Sequence, residues 1–319
     1  MNELILPVIL FTIGLIVIIK GGDAFVDAAA WMSEVTGIPK LIVGATIISV
    51  ATTLPELFVS ALATLDGSIG IATGNAIGSV IANIGIGMSL GIIAVPMIIN
   101  RRTFAPKALI MIVVSATLFM CGLDGHISVT DSVILLLMLA YYIWNNVQSA
   151  KEAAASGSEE IRPECNSKIL TYRLLQFVLG AAGIIIGANL LVDNGQILAA
   201  VLGVPEDVIG LTVVAIGTSL PELVTAVTSV IKKDASLSVG NIIGANIIDM
   251  AMILPTCSLI SGGVLEISRS CVFVDIPVAL LFMAIAIIPT LIAKKFRRWQ
   301  GWAILGCYAA YLGYVFTVM

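Results

Sequence analysis

Long apolar stretches alternate with short polar segments along the whole chain. Ten of these stretches contain about 20 mostly apolar residues, the length that an α-helix needs to cross the hydrocarbon core of a bilayer. The pattern therefore predicts an all-α polytopic membrane protein with ten transmembrane helices. The predicted spans are residues 4–20, 41–65, 70–98, 104–122, 128–146, 169–190, 207–231, 236–260, 270–292 and 300–318.

Composition narrows the class of protein further. Charged residues make up 11% of the 319 residues, whereas a soluble domain carries about 25%. Apolar residues reach 59%, and the mean hydropathy is +1.09. So few charges cannot cover a water-soluble surface, which excludes a soluble enzyme, and the net charge of −4 argues against a nucleic-acid binder. The five cysteines lack CxxC spacing, so they predict neither a disulfide framework nor a zinc site.

The basic residues predict the orientation in the membrane. Fifteen of them fall in the loops on one side of the predicted spans or at the span ends next to those loops, and only Arg269 falls on the other side. Because Lys and Arg favour cytoplasmic loops, we expect a multi-pass protein of the cell membrane with both termini extracellular. The fifteen residues are Lys20, Lys40, Arg101, Arg102, Lys107, Lys151, Arg162, Lys168, Arg173, Lys232, Lys233, Lys294, Lys295, Arg297 and Arg298.

The chain contains an internal duplication at a constant offset of 166 residues. The segment 44–57 aligns with 210–223, each around a Leu-Pro-Glu triplet, and 74–83 aligns without gaps with 240–249. Each repeat holds five predicted spans, an odd number, so the second repeat is inverted relative to the first. Inverted repeats are typical of secondary transporters that bind their substrate near the bilayer midplane. We predict a first repeat at 1–146, a short cytoplasmic linker at 147–168 and a second repeat at 169–319.

Three acidic residues lie deep within predicted spans. Glu56 and Glu222 are each the sixteenth residue of their span, and Asp249 lies inside the eighth span. Each such acid costs about 2.5–3.5 kcal/mol on insertion scales, so we expect all three to face a cavity and bind a ligand. Pro55 and Pro221 precede the glutamates, which predicts that helices two and seven are broken and expose backbone carbonyls.

Polar residues one helical turn apart complete the candidate site. Thr52 precedes Glu56 by four residues, and the same spacing relates Thr218 to Glu222 and Ser79 to Asn83. Each pair therefore lies on one helix face. The cluster holds carboxylates, hydroxyls, an amide and freed carbonyls, without a buried Lys, Arg or His. Such hard oxygen ligands suit Ca²⁺ or Na⁺.

At these motifs the sequence resembles the cation/calcium exchanger superfamily, in particular the short prokaryotic sodium/calcium exchangers. Repeats of that family look like GTSLPE followed by GN-x-IGS-N, and here they read VATTLPE…GNAIGSVIAN and AIGTSLPE…GNIIGANIID. The resemblance covers essentially the whole chain. It implies Na⁺/Ca²⁺ antiport by alternating access, with Ca²⁺ and Na⁺ as transported ions and without a cofactor.

The resemblance also implies roles for individual residues. Glu56 and Glu222 would hold Ca²⁺ at the centre, and Ala245 stands where a serine would mirror Ser79, which puts one Na⁺ ligand in doubt. The remaining implied ligands of Ca²⁺ and Na⁺ are Thr52, Thr53, Ser79, Asn83, Thr218, Ser219 and Asp249, with backbone carbonyls near Ser49 and Ala215.

Other functions are compatible with parts of this pattern. H⁺/Ca²⁺ exchange is the nearest alternative. The motif of proton-coupled relatives looks like GN-x-x-E, and this sequence does not contain it. K⁺-dependent Na⁺/Ca²⁺ exchange also remains open, whereas the inverted duplication argues against a cation channel. No Ser/Lys, HExxH or GxGD pattern predicts an intramembrane enzyme. The expected partners are Ca²⁺, Na⁺ and the lipid bilayer, and the pattern is compatible with a monomer without fixing the oligomeric state.

Overall fold

The computed structural model describes residues 2–155, 166–201, 217 and 219–318. Within these ranges the chain forms ten helices and one short β-ribbon. The helices are α1 (Asn2–Thr36), α2 (Lys40–Leu65), α3 (Ile69–Ala94), α4 (Arg101–Cys121), α5 (Val129–Ala155), α6 (Ser167–Val201), α7 (Leu220–Ile231), α8 (Ala235–Ile260), α9 (Cys271–Ala293) and α10 (Arg298–Val318). The protein is therefore helical, as the hydrophobic pattern predicts.

Eight of the described helices are long and apolar enough to cross a membrane. The two others are α7, of which 12 residues are described, and α10, which has 21 residues. The first part of the predicted seventh span lies outside the described residues. The count of ten spans therefore stays a prediction.

The bounds of equivalent helices repeat the offset of 166. The regular α-helical part of α3 runs over Ile69–Ala82 and that of α8 over Ala235–Ile248. Each continues into a π-helical turn, which begins at Asn83 in α3 and at Asp249 in α8. A π-helical turn inside an α-helix is frequent at functional sites. In both helices, the candidate ligand is therefore the residue at which the regular helix widens.

Helix α2 corrects one expectation from the sequence. It passes through a π-helical turn at Gly44–Ile48 and continues as an α-helix over Ser49–Leu65, with Pro55 inside it. A proline removes one hydrogen bond and can be absorbed by a local change of the helix rather than by a break. The predicted break in helix two is therefore wrong. Residues 202–216 and Thr218 lie outside the described part, so the break in helix seven stays a prediction.

Close backbone contacts hold α2 against α8. A Cβ atom added at Gly240 would lie 3.0 Å from the backbone nitrogen of Ala45, and one at Gly244 would lie 2.7 Å from Cβ of Ser49. Only residues without side chains let two helices approach this closely. Helix α8 is almost entirely buried, and its neighbours include α2, α3, α4 and α7. These contacts place the two duplicated motifs against each other in the core.

Loops of the two sequence halves also pair with each other at both ends of the helices. Strand β1 (His126–Ser128) pairs antiparallel with β2 (Val264–Glu266), which joins the α4–α5 loop to the α8–α9 loop. At the other end, Ile98 forms an isolated bridge with Lys295.

One basic residue does not lie where the loop pattern places it. Lys107, predicted to lie in the cytoplasmic α3–α4 loop, is inside α4 and fully buried. That assignment is wrong because α4 begins six residues earlier, at Arg101, and packs Lys107 against neighbouring helices.

Candidate cation-binding site

Three carboxylates from three helices meet in the protein interior. Glu56 of α2, Glu222 of α7 and Asp249 of α8 are each only 1% exposed. Glu56 lies within electrostatic range of both Glu222 and Asp249. Among the described residues, five of the six carboxylate oxygens have no hydrogen-bond partner. Buried carboxylates without partners are unstable in a protein interior unless a bound cation or a proton neutralises their charge.

Hydroxyl groups line the same region and connect the two repeats. Thr53 Oγ1 donates to Glu222 Oε1 at 3.3 Å, and Ser219 Oγ donates to Ser79 Oγ at 3.0 Å. Thr52 Oγ1 lies 3.4 Å from the carbonyl oxygen of Ser49, to which it donates. The first two bonds each join a residue of one repeat to a residue of the other. The site therefore lies at the contact between the duplicated motifs.

Three asparagines that the sequence reasoning did not single out belong to this region. Asn75 Nδ2 donates to the carbonyl oxygen of Glu56 at 3.4 Å, and Asn241 Oδ1 accepts from a hydroxyl of α2 at 3.3 Å. Asn246 Oδ1 accepts from Asn83 Nδ2 at 3.1 Å. The Gly-Asn pair of both motifs is a sequence signal for Asn75 and Asn241. Asn246 has no such signal, because Val80 stands at the equivalent position of the first repeat.

Nine of the eleven predicted site residues lie in the described part of the chain, and all nine are buried. They are Ser49, Thr52, Thr53, Glu56, Ser79, Asn83, Ser219, Glu222 and Asp249. Thr218 and Ala215 lie outside the described residues. Asn83 also presents an unpartnered oxygen, Oδ1, in addition to the carboxylate oxygens. The roles of these residues as ligands stay predictions.

The chemistry of this donor set favours hard cations. In the described ranges, no three His, Cys, Asp or Glu side chains are arranged to hold a metal ion by themselves. A bound cation would therefore draw on hydroxyl, amide and carbonyl oxygens in addition to the carboxylates. Ca²⁺ takes six to eight such oxygens and is selected by sites of this kind, as is Na⁺, whereas soft metals prefer sulfur.

Comparison with known proteins places this geometry in a family. A sequence model described as "Sodium/calcium exchanger protein" matches residues 6–148 and 172–317, two segments whose starts are 166 residues apart. An uncharacterized membrane protein of Methanocaldococcus jannaschii is 31% identical over 96% of both chains. The inner membrane protein YrbG of Escherichia coli is 33% identical over 82% of both chains. The sodium/calcium exchanger MaX1 of Methanosarcina acetivorans is 26% identical, over 97% of this chain and 98% of its own.

The fold is also similar to that of a solved structure. The sodium–calcium exchanger NCX_Mj, soaked with Na⁺ and Sr²⁺, superposes with a TM-score of 0.84. It is 31% identical, and the match covers 97% of this chain and 99% of that one. The family match therefore extends from the two repeated motifs to nearly every helix. This chain belongs to the sodium/calcium exchanger protein family.

Proposed function

We propose that this protein exchanges Na⁺ for Ca²⁺ across the cell membrane. The observation that carries the proposal is the cluster of three buried carboxylates with five unpartnered oxygens at the contact between the repeats. Ionisable groups inside membrane helices mark ion pathways by default. The family of the chain and the names of its similar relatives support Na⁺ and Ca²⁺ as the ions.

Mutual exclusion of the two ions follows from the charge and the size of the site. Glu56, Glu222 and Asp249 together supply at most three negative charges. One Ca²⁺ or several Na⁺ balance these charges, but both loads together exceed them. If the protein changes between its outward-open and inward-open states only with ions bound, Na⁺ and Ca²⁺ must move in opposite directions. This is antiport by alternating access.

The type of oxygen that each residue offers decides its proposed role. Glu56 and Glu222 provide carboxylates for Ca²⁺, and the flanking oxygens complete the sites for Ca²⁺ and Na⁺. The flanking ligands that we propose are Ser49, Thr52, Thr53, Ser79, Asn83, Ala215, Thr218, Ser219 and Asp249. The repeats on either side of this site, at 1–146 and 169–319, would be the two parts that move relative to each other, linked by 147–168.

Flux in proteoliposomes tests this function and its alternatives. The purified chain is reconstituted, and ⁴⁵Ca²⁺ uptake is measured under an outward gradient of Na⁺, of K⁺ together with Na⁺, or of H⁺. We expect uptake driven by Na⁺ alone. Uptake that requires K⁺ would show that K⁺ is transported as well, and uptake that follows only a pH gradient would show that H⁺ is the coupling ion. Uptake that needs no counter-ion would indicate a channel.

A further inference from the structure

Lys107 is a buried positive charge that the proposed exchange reaction does not use. In the described part of the chain, only four Asp, Glu, Lys or Arg side chains are buried, and three of them are the carboxylates of the site. The fourth is Lys107, whose side chain is 0% exposed. Its Nζ atom has no hydrogen-bond partner, and none of the described acidic residues forms a salt bridge with it. An unpaired ammonium group inside a membrane protein is costly, so its presence calls for a functional reason.

The position of Lys107 connects it to the carboxylate site. It lies in α4 one turn before Met111, whose Sδ atom accepts from Asn246 Nδ2 at 3.7 Å. Asn246 in turn accepts from Asn83 at 3.1 Å. One helical turn is about 5.4 Å, so these steps place Lys107 on the order of 15 Å from the site. Met111 and Asn246, the two intermediate residues of this path, are both 0% exposed, so the path runs through the protein interior.

The neighbouring helix α5 holds further buried polar groups, and in the described part of the chain no acidic side chain pairs with Lys107. Helix α5 packs against α4 and holds Asn145 and Asn146. Asn145 Oδ1 and both polar side-chain atoms of Asn146 are also buried without hydrogen-bond partners. None of these amide atoms forms a hydrogen bond with Lys107 Nζ, and a neutral amide would not neutralise its charge. A positive charge on Lys107 would therefore act unneutralised on the three carboxylates and on any cation between them.

We propose that Lys107 is a resident positive charge that weakens cation binding at the carboxylate site, and that it weakens Ca²⁺ binding more than Na⁺ binding. This inference rests on the proposed function, because it needs cations at that site. Coulomb repulsion is proportional to the charge of the bound ion. When the lysine charge is removed, the fold-change in Ca²⁺ affinity should therefore equal the square of the fold-change in affinity for one Na⁺. At an effective dielectric constant of about 20 and about 15 Å, the expected gain is about sixfold for Na⁺ and about fortyfold for Ca²⁺.

The test compares variants of similar size with and without the charge. Lys107→Met removes the charge and nearly keeps the volume, whereas Lys107→Arg keeps the charge. Ser115→Ala removes a buried hydroxyl of α4 that has no hydrogen-bond partner, and it controls for a general disturbance of the helix. In proteoliposomes, Ca²⁺ affinity is the half-saturating concentration of Ca²⁺/Ca²⁺ exchange without Na⁺. Na⁺ affinity is the concentration that half-saturates Na⁺-dependent ⁴⁵Ca²⁺ release.

We expect Lys107→Met to lower both half-saturating concentrations, with the larger change for Ca²⁺, and Lys107→Arg to keep both high. Unchanged affinities in Lys107→Met, or equal changes for both ions, would overturn the proposal, because packing and not charge would then be responsible. Lys107→Gln serves as a second neutral variant if Lys107→Met does not fold. Glu56→Gln is measured in parallel: if it exchanges Ca²⁺ normally, the proposed site itself is wrong, which is distinct from a failure at Lys107 alone.

Discussion

Ala245→Ser tests the asymmetry between the two repeats. Ser219 of the second repeat donates a hydrogen bond to Ser79 of the first repeat at 3.0 Å. At the offset of 166 residues, the equivalent pair is Thr53 and Ala245, and alanine offers no hydroxyl. Thr53 donates instead to Glu222 Oε1 at 3.3 Å. The substitution restores the missing partner, adds one oxygen near Asp249 and releases an oxygen of Glu222 for a bound ion.

The expected increase in Na⁺ affinity is that of one added contact with an uncharged oxygen, comparable in free energy to a hydrogen bond. Such a contact contributes about 0.5–1.5 kcal/mol, which corresponds to about a twofold to tenfold increase in apparent Na⁺ affinity. Ca²⁺ centred on two glutamates gains less from one hydroxyl. Ala245 is 0% exposed, so the added atom also strains the packing, by an amount below the 1–3 kcal/mol typical of larger insertions. We therefore expect a slightly lower melting temperature together with tighter Na⁺ binding.

The assay is Na⁺ competition against ⁴⁵Ca²⁺ uptake in proteoliposomes with wild-type or variant protein. Ala235→Ser is the matched control, since it adds the same hydroxyl to the first turn of α8, about 15 Å along the helix from residue 245. The Na⁺ concentration for half-inhibition should fall for Ala245→Ser and stay unchanged for the control. The reasoning is refuted if half-inhibition by Na⁺ does not move while Ca²⁺ affinity does, because residue 245 then does not contribute to a Na⁺ site.

Three further predictions concern the site, the packing and the topology. Asn241→Ala removes the acceptor of a hydroxyl from α2, so we expect Ca²⁺ affinity in exchange assays to fall a few-fold, about 1 kcal/mol; wild-type affinity would show that this asparagine is not part of the site. Gly240→Ala inserts a Cβ against the backbone of α2 and should lower the melting temperature in detergent, whereas Gly313→Ala meets no atom within 4 Å and should not; equal melting temperatures would contradict the close contact. Single cysteines placed at the exposed Lys151 and Asp66 in a cysteine-free background should react with impermeant reagents from the cytoplasmic and the extracellular side, respectively, and the reverse pattern would mean that the predicted orientation is wrong.

The sequence predicts the helices because the length of a span and the need to satisfy its backbone leave few alternatives. It also singles out Glu56 and Glu222, since an acid inside an apolar span is rare and here occurs twice at one offset. The structure brings these glutamates together with Asp249 and with the hydroxyls of Thr53 and Ser219. Repetition and rarity therefore single out residues that the structure brings close together, and their role as ligands stays a prediction.

Other features depend on packing that a single sequence does not display. The helix around Pro55 continues although the proline removes one of its hydrogen bonds, which propensity alone does not predict. Asn246 contacts Asn83 only because α3 and α8 adopt a particular register, and it has no repeat partner to signal it. The loop pattern places Lys107 in a loop because a basic residue near a span boundary usually lies there, whereas its burial depends on how α4 packs against its neighbours.

Ca²⁺ transport by the two single charge-removing variants of the central glutamates tests the account most directly. Glu56→Gln and Glu222→Gln each replace a buried carboxylate by an amide of nearly equal shape, so insertion and folding should persist while the ion loses a charged ligand. In proteoliposomes with an outward Na⁺ gradient, we expect each variant to reduce ⁴⁵Ca²⁺ uptake nearly to the level of protein-free vesicles. Near-normal Na⁺-driven uptake by either variant, at equal amounts of reconstituted protein, would contradict the central claim that both carboxylates form one cation site.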